Sequence, residues 1–188
     1  MDEYRTDRGI SFVYEAVSVF VSATFILMII FTFFVRFVGV IGESMEPTLH
    51  HTDWVLISQV GDYKPRYGDV VVISQPNDIN ETIIKRVIAT EGHTIDIDFE
   101  TGTVYYDGAI LDESSYIKNE TTNSYDMTFP VTVPKGYSFV MGDNRQGSID
   151  SRSTIIGLIN NDYMLGKAEY AITDDGFVDM TLYNKYNQ

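Results

Sequence analysis

The chain has 188 residues, no cysteine and a formal net charge of −14. This length suffices for a membrane segment and one domain of about 150 residues. The absence of cysteine excludes disulfides, thiolate catalysis and cysteine-based metal sites. The negative charge argues against nucleic-acid binding, because phosphates would be repelled. Without a specific site, the acidic excess indicates only a solvated surface.

The N-terminal part contains one long uncharged apolar stretch, residues 16–35, with the sequence AVSVFVSATFILMIIFTFFV. A helix of this length spans roughly 30 Å, the thickness of the hydrocarbon core of a bilayer. A cleaved signal peptide is the alternative, but its apolar region usually has about 7 to 15 residues and ends at small residues. We therefore predict an uncleaved transmembrane anchor over residues 16–38, preceded by a short tail over residues 1–15. Arg5 and Arg8 before the stretch and Arg36 after it only weakly favour a cytoplasmic N-terminus.

The rest of the chain is dominated by short runs that are typical of β-strands. These runs are DWVLIS from Asp53, DVVVIS from Asp69, ETIIKRVIA from Glu81, TIDIDFE from Thr94 and GTVYYDG from Gly102. Turn dipeptides separate them, and YYDGAIL predicts a two-residue hairpin at Asp107-Gly108. We predict a mainly β domain of antiparallel sheets over residues 39–188. A polar mobile insertion is expected at residues 119–124, and a last short strand after residues 173–176.

A first candidate for chemistry is Ser44, which follows the apolar stretch closely in GESMEPTL. Gly42 and Pro47 restrict the backbone on either side, which suits a turn that presents a hydroxyl and its amide N–H to a substrate carbonyl. The motif alone is weak, since such turns are more often structural. A reactive group here would work near the bilayer surface.

Lys85 and Arg86 form the second candidate, because they interrupt a strand that is otherwise apolar on both faces. Burial disfavours an ammonium ion, so a buried Lys85 would shift toward the neutral amine that can accept a proton from a serine hydroxyl. The alternative is that strand twist lets both side chains reach water.

The third candidate is the polar segment GDNRQGSIDSR, which begins at Gly142 directly after a β-like run. So many hydrogen-bonding groups rarely gather in a simple hairpin turn. A long solvated loop with an exposed Asp150–Arg152 pair is the alternative interpretation.

Taken together, these segments resemble a known family, the type I signal peptidases, and in particular their short single-anchor bacterial form. ESMEPTL, GDVVV, KRVIATEG and GDNRQGSIDSR match the family in this order, and the likeness covers nearly the whole chain. It implies a β-rich catalytic domain behind a membrane anchor. The implied activity is that of a serine endopeptidase, which removes signal peptides from exported preproteins after small residues.

The resemblance also implies roles for individual residues. Ser44 would attack the scissile carbonyl, Lys85 would take its proton, and Ser148 would hydrogen-bond to Lys85 and orient it. The implied supporting ion pairs are Asp143 with Arg86 and Asp150 with Arg152.

The sequence departs from the family pattern at two positions. Gly42 stands where some relatives have a serine that supplies a side-chain oxyanion donor, so the oxyanion would rest on the Ser44 N–H and nearby backbone. His93 stands where the family usually has an aspartate in the turn after the lysine strand. This puts the shape and charge of that turn in doubt.

The implied partners are preprotein signal peptides and membrane lipid, with no nucleic acid, no metal and no obligate protein partner. No cofactor is expected, because His50, His51 and His93 show no metal-ligand spacing. The implied location is the cell membrane, with a single pass, a cytoplasmic N-terminus and the catalytic domain outside. Two other hypotheses remain: a self-cleaving relative of the repressor-type Ser-Lys peptidases, and a catalytically silent membrane-tethered binding module.

Overall fold

The computed structural model describes residues 3–33, 35–58, 63–75 and 81–180. The chain divides into two compact units, Met1–Arg36 and Phe37–Gln188. The first unit is a helix, α1 (Glu3–Phe33). Within it Ser11–Ile29 has a mean hydropathy of 2.0 and is long and apolar enough to cross a membrane.

The helix differs from the prediction at both ends. It begins at Glu3, so the predicted tail is helical from that residue, and it ends at Phe33. Residues 35–39 form the first strand instead of the end of the anchor. The physical reason is their VRFVG sequence, which is rich in the β-branched and aromatic residues that strands favour.

A large sheet forms one layer of the second unit. Its strands are β1 (Val35–Gly39), β2 (Trp54–Ser58), β3 (Val70–Ile73), β4 (Ile83–Thr90), β9 (Tyr137–Met141), β10 (Ile159–Asn160), β11 (Met164–Thr173) and β12 (Gly176–Asp179). Their order is β1-β2-β11-β3-β4-β9-β10, with β12 also beside β11. A short 3-10 helix, Asn161–Tyr163, precedes β11.

A smaller sheet is formed by β5 (Thr94–Asp98), β6 (Thr103–Tyr106), β7 (Ala109–Ile110) and β8 (Val131–Thr132), in the order β7-β6-β5-β8. β6 and β7 are joined by Asp107 and Gly108, which have φ angles of 50° and 82°. Positive φ at both central residues identifies the tight turn that matches strand twist. The predicted hairpin, the mainly β fold and the antiparallel pairing are thus confirmed.

Apolar side chains cover the large sheet on both faces. On one face Val70 and Val72 of β3 pack with residues of β2 and β11, and on the other Val71 and Ile73 pack with residues of β4 and β9. A further cluster packs β4 and β9 against the small sheet. Because β3 and β4 are covered on both sides, a charged side chain on either strand is removed from water.

The long strand β11 has a central position in the large sheet. It pairs with β3 through residues 164–167 and with β2 through residues 167–172. Among the described strands, the half of the sheet that contains β1 and β2 is therefore paired with the half that contains β3 and β4 through β11, a strand from late in the sequence.

Candidate active site

The loop that carries Ser44 connects β1 to β2 and is anchored by apolar burial. Met45 and Leu49 are 2% and 0% exposed and belong to the core beside β2 and β3. Gly42 has a φ of 92°, which a residue with a side chain rarely adopts. Ser44 itself is partly exposed, so the loop holds a hydroxyl at the surface of a packed core.

Lys85 lies on β4 opposite Val71 and is 4% exposed. Its Nζ donates a hydrogen bond of 2.7 Å to Ser44 Oγ. Burial lowers the pKa of Lys85 from 10.5 to about 8, while the carboxylates of Asp150 and Asp143 act in the opposite direction. The side chain is therefore a neutral amine in mildly alkaline water, and can then accept the serine proton along the same contact.

Arg86, the next residue on β4, is buried in an ion pair with Asp143. Its Nε and Nη2 donate to the two carboxylate oxygens at 2.8 and 2.6 Å, and its Nη1 donates to the carbonyl of Gly68 at 2.9 Å. Thr48 donates to the same carboxylate, and the ring of Tyr116 lies 4.4 Å from the guanidinium carbon. The idea that Lys85 and Arg86 reach water is therefore wrong.

The segment from Gly142 to Ser153 is largely buried, so the interpretation as a solvated loop is wrong as well. Asp150 and Arg152 are both 0% exposed and form a bidentate pair with distances of 2.8 Å. Asp150 also accepts from the N–H of Gly142 at 3.0 Å. Paired carboxylates and guanidinium groups let the charges remain buried, since an unpaired buried charge costs several kcal/mol.

Ser148 does not make the predicted hydrogen bond to Lys85. Its Oγ is buried and has no hydrogen-bond partner among the described residues. The hydroxyl lies against Gly142, where an added Cβ would come within 2.3 Å of it. Lys85 Nζ is directed instead to Ser44 Oγ.

The predicted insertion at residues 119–124 is exposed at residues 120 and 122–124 but is anchored at Thr121. Thr121 is 0% exposed and accepts a hydrogen bond of 2.7 Å from Arg145, which is paired with Glu113 at 2.6 and 2.7 Å. Within this run of polar residues, Thr121 therefore helps to satisfy a buried guanidinium. The sequence did not predict the contacts of Arg145 with Glu113 and Thr121. The signal that could have indicated them is Arg145 itself, because an arginine in a segment this rich in polar residues requires a carboxylate partner if it is buried.

Other contacts join residues 113–127 to the segment that begins at Gly142. Lys118 N–H donates to the carbonyl of Asp143 at 2.9 Å, and the hydroxyl of Tyr125 donates to the carbonyl of Ser148 at 2.9 Å. We call residues 113–127 the brace. It connects the small sheet to the candidate site.

The turn with the unusual His93 has a compensating partner. His93 Nδ1 lies 2.8 Å from a carboxylate oxygen of Asp107 in the β6–β7 turn. Among the described residues, no group of three or more His, Cys, Asp or Glu side chains could hold a metal ion.

A buried amine in contact with a serine hydroxyl is the arrangement of a candidate serine hydrolase, and comparison with known proteins identifies the family. The model of the family described as "Signal peptidase, peptidase S26" matches residues 13–173. The chain belongs to this family, which confirms the resemblance found in the sequence and makes it a signal peptidase hydrolase.

Individual relatives extend over most of the chain. The signal peptidase I of Bacillus licheniformis is 30% identical over 183 residues, covering 90% of this chain and 94% of that protein. The signal peptidase IB of Staphylococcus aureus is 33% identical over 162 residues, covering 77% and 81%. A crystal structure of a signal peptidase I from Enterococcus faecalis aligns with a TM-score of 0.47 and 27% identity, covering 57% of this chain and 98% of that one.

Proposed function

We propose that the chain is a membrane-anchored endopeptidase that cleaves signal peptides from exported preproteins, with Ser44 as nucleophile and Lys85 as general base. The observation that carries this proposal is the 2.7 Å contact between Lys85 Nζ and Ser44 Oγ, made by a lysine that is 4% exposed. Membership of the signal peptidase family supports the substrate class.

The reaction consists of two acyl transfers. Neutral Lys85 takes the proton of Ser44 as Oγ attacks the scissile carbonyl, and the resulting oxyanion accepts a hydrogen bond from the Ser44 N–H. When the intermediate collapses, the Lys85 ammonium gives its proton to the leaving amine of the mature protein. Lys85 then takes a proton from water, which attacks the acyl-enzyme, and Ser44 regains its proton as the signal peptide carboxylate leaves.

The supporting residues hold the segment opposite Ser44. The pairs Arg86–Asp143 and Asp150–Arg152 fix the segment that begins at Gly142, and both aspartates raise the proton affinity of Lys85. They act as supports and not as reactants. No metal or other cofactor enters this scheme.

Replacement of the two reactive groups tests the proposal. Ser44→Ala and Lys85→Met in the full chain in detergent should each abolish cleavage of a preprotein, measured by gel and by mass spectrometry of both products. Ser74→Ala and Lys135→Met change exposed residues of the same types and should leave the rate unchanged. Cleavage by Ser44→Ala at the normal rate would refute the mechanism, and a wild-type chain that cleaves no preprotein would favour the silent binding module.

The pH dependence of the rate tests the role of Lys85 separately. Because only the neutral amine can accept the proton, kcat/KM should rise about tenfold per pH unit below the Lys85 pKa of about 8 and level off above it. A flat profile between mildly acid and alkaline pH would contradict a lysine base.

We further propose that the N-terminus is cytoplasmic and that the β domain is outside the cytoplasm. Because the chain has no cysteine, single cysteines at Asp2 and Ser74 can be labelled in intact cells with a membrane-impermeant maleimide. Labelling of the Ser74 position alone is expected. Labelling of the Asp2 position alone would reverse the orientation.

A further inference from the structure

Asn144 makes two hydrogen bonds to the backbone around the nucleophile. Its N–H donates to the carbonyl of Ser44 at 3.1 Å, and its side-chain Nδ2 donates to the carbonyl of Glu43 at 3.2 Å. The side chain is largely buried, with 6% of the residue exposed. Asn144 therefore holds the peptide groups on both sides of the Ser44 Cα.

The orientation of the Asn144 amide follows from its other partners. Its Oδ1 accepts from the backbone N–H of Gly147 at 3.1 Å. A backbone N–H can only donate, so the oxygen must face Gly147 and the NH₂ group must face Glu43. The same Oδ1 also accepts from Nδ2 of Asn119 at 3.1 Å.

The bond to Glu43 fixes the direction of a second group. The carbonyl of Glu43 and the N–H of Ser44 belong to one planar trans peptide and point in opposite directions. When Asn144 holds this carbonyl, it also sets where the Ser44 N–H points. Gly42, two residues before Ser44, has a φ of 92° and open space where a Cβ would be. Packing at position 42 therefore does not restrain this peptide, whereas the buried Met45 anchors the loop after Ser44.

Asn119 is fixed in turn by the segment that it contacts. Its Oδ1 accepts from the backbone N–H of Gln146 at 3.0 Å, which leaves its Nδ2 to face Asn144. On either side of it, Lys118 and Thr121 are bonded to Asp143 and Arg145. Its amide thus links the brace to the amide that orients the nucleophile peptide.

We infer that Asn119 is a positioning residue, which acts through Asn144 to aim the Ser44 N–H at the oxyanion of the transition state. The inference rests on the proposed function of Ser44. It assigns a catalytic purpose to the brace, a part of the chain outside the sequence motifs. A donor that is aimed wrongly loses rate without loss of substrate binding, since the oxyanion exists only in the transition state.

The test uses the full chain in detergent and a preprotein substrate. Asn119→Ala should lower kcat about tenfold with KM unchanged, and should leave the midpoint of the pH–rate profile in place because Lys85 is untouched. Asn119→Asp keeps the acceptor for Gln146 but loses the donor to Asn144, so it should lower kcat by a similar factor. Ser74→Ala, a change at an exposed position outside the brace, should leave kcat unchanged.

A double-mutant cycle separates this role from general loosening of the site. Asn144→Ala should lower kcat about a hundredfold, and adding Asn119→Ala should cause no further loss, because Asn119 acts only through Asn144. A further tenfold loss in the double variant would overturn the inference, and so would wild-type kcat in folded Asn119→Ala and Asn119→Asp, with folding checked by thermal unfolding. A Ser44→Ala arm separates the two proposals. If that variant is inactive while the Asn119 variants are fully active, only the inference fails, whereas activity in Ser44→Ala refutes the proposed function itself.

Discussion

Two parts of the domain use aspartate and glycine at the end of a strand for different physical purposes. In the β6–β7 turn, Asp107 is about half exposed, and its partners are His93 and the N–H of Thr94, the first residue of β5. In the segment that begins at Gly142, Asp143 is 0% exposed and pairs with an arginine on another strand. In the turn, Asp107 and Gly108 adopt the positive φ angles that the hairpin requires. In the second segment, Gly142 leaves room for Ser148 and Ser44, and Asp143 neutralises the buried Arg86. Removing them should therefore have very different effects.

The largest effect should come from breaking the buried pair. Asp143→Ala leaves the guanidinium of Arg86 buried without its carboxylate, which should lower the free energy of unfolding by about 3 to 5 kcal/mol. Denaturant unfolding of the full chain in detergent measures this value.

Two control variants sharpen this prediction. Replacing both partners, as in Arg86→Met with Asp143→Leu, should cost less than the single change, because no charge is left unpaired. Asp107→Ala removes an exposed aspartate and should shift Tm far less. Equal losses for Asp143→Ala and Asp107→Ala would remove the distinction between the two regions.

The second effect is a gain in stability from removing a buried charge. Folding lowers the pKa of Lys85 from 10.5 to about 8, so between these values the unfolded chain binds a proton that the folded chain does not, and stability rises with pH. Each tenfold change in proton affinity is worth about 1.4 kcal/mol, so below pH 8 the buried amine costs the folded state roughly 3 kcal/mol. Lys85→Met should be inactive but more stable by about this amount at pH 7.

Thermal unfolding as a function of pH checks the sign of this effect. The advantage of Lys85→Met over the wild type should be constant below about pH 8 and disappear as the pH approaches 10.5. Lys135→Met, at an exposed lysine, should show no such trend. A Lys85→Met variant less stable than the wild type at pH 7 would contradict the assignment of a desolvated amine.

The third effect concerns space. A Cβ at Gly142 would lie 2.3 Å from Ser148 Oγ and 2.4 Å from the carbonyl oxygen of Ser44. Gly142→Ala should therefore cost about 1 to 3 kcal/mol in overpacking. It should also lower kcat about a hundredfold, because the nucleophile is displaced. Unchanged kcat in this variant would show that the loop can yield without loss of geometry.

The smallest effect is at the matching glycine of the exposed turn. Gly108 has open space for a Cβ but a φ of 82°, so Gly108→Ala should cost about 1 kcal/mol through conformation alone. Its kcat should equal that of the wild type. A rate loss as large as that of Gly142→Ala would indicate that the small sheet transmits strain to the site.

The sequence was sufficient to predict the strands and the hairpin, which depend on local patterns of residues. The predicted strands appear because alternating and continuous apolar runs report burial directly, and the hairpin appears because Asp107 and Gly108 tolerate positive φ. The proximity of Ser44 to Lys85 came from the resemblance, since neither residue was decisive by itself.

Hydrogen bonds and ion pairs between residues distant in sequence could not be predicted from local patterns. Asn119 pairs with Asn144 and Glu113 pairs with Arg145, 25 and 32 residues apart in sequence. They meet where the loop between β7 and β8 contacts the segment that follows β9. Composition cannot distinguish a polar residue in water from one that satisfies a buried guanidinium, so the sequence does not predict the role of Thr121. The Ser148 bond failed for a similar reason, because motif likeness does not specify the orientation of a hydroxyl.

The position of β11 has a consequence for the order in which the candidate site can be assembled. Ser44 precedes β2 and Lys85 lies on β4, and the two halves of the sheet that hold them are hydrogen-bonded together through residues 164–172. A nascent chain that has not yet reached this strand has both reactive residues but no sheet to unite them. Pairings between segments that are distant in sequence are slow to form. We therefore expect the contact between Lys85 Nζ and Ser44 Oγ to be completed only when β11 has paired with both β2 and β3.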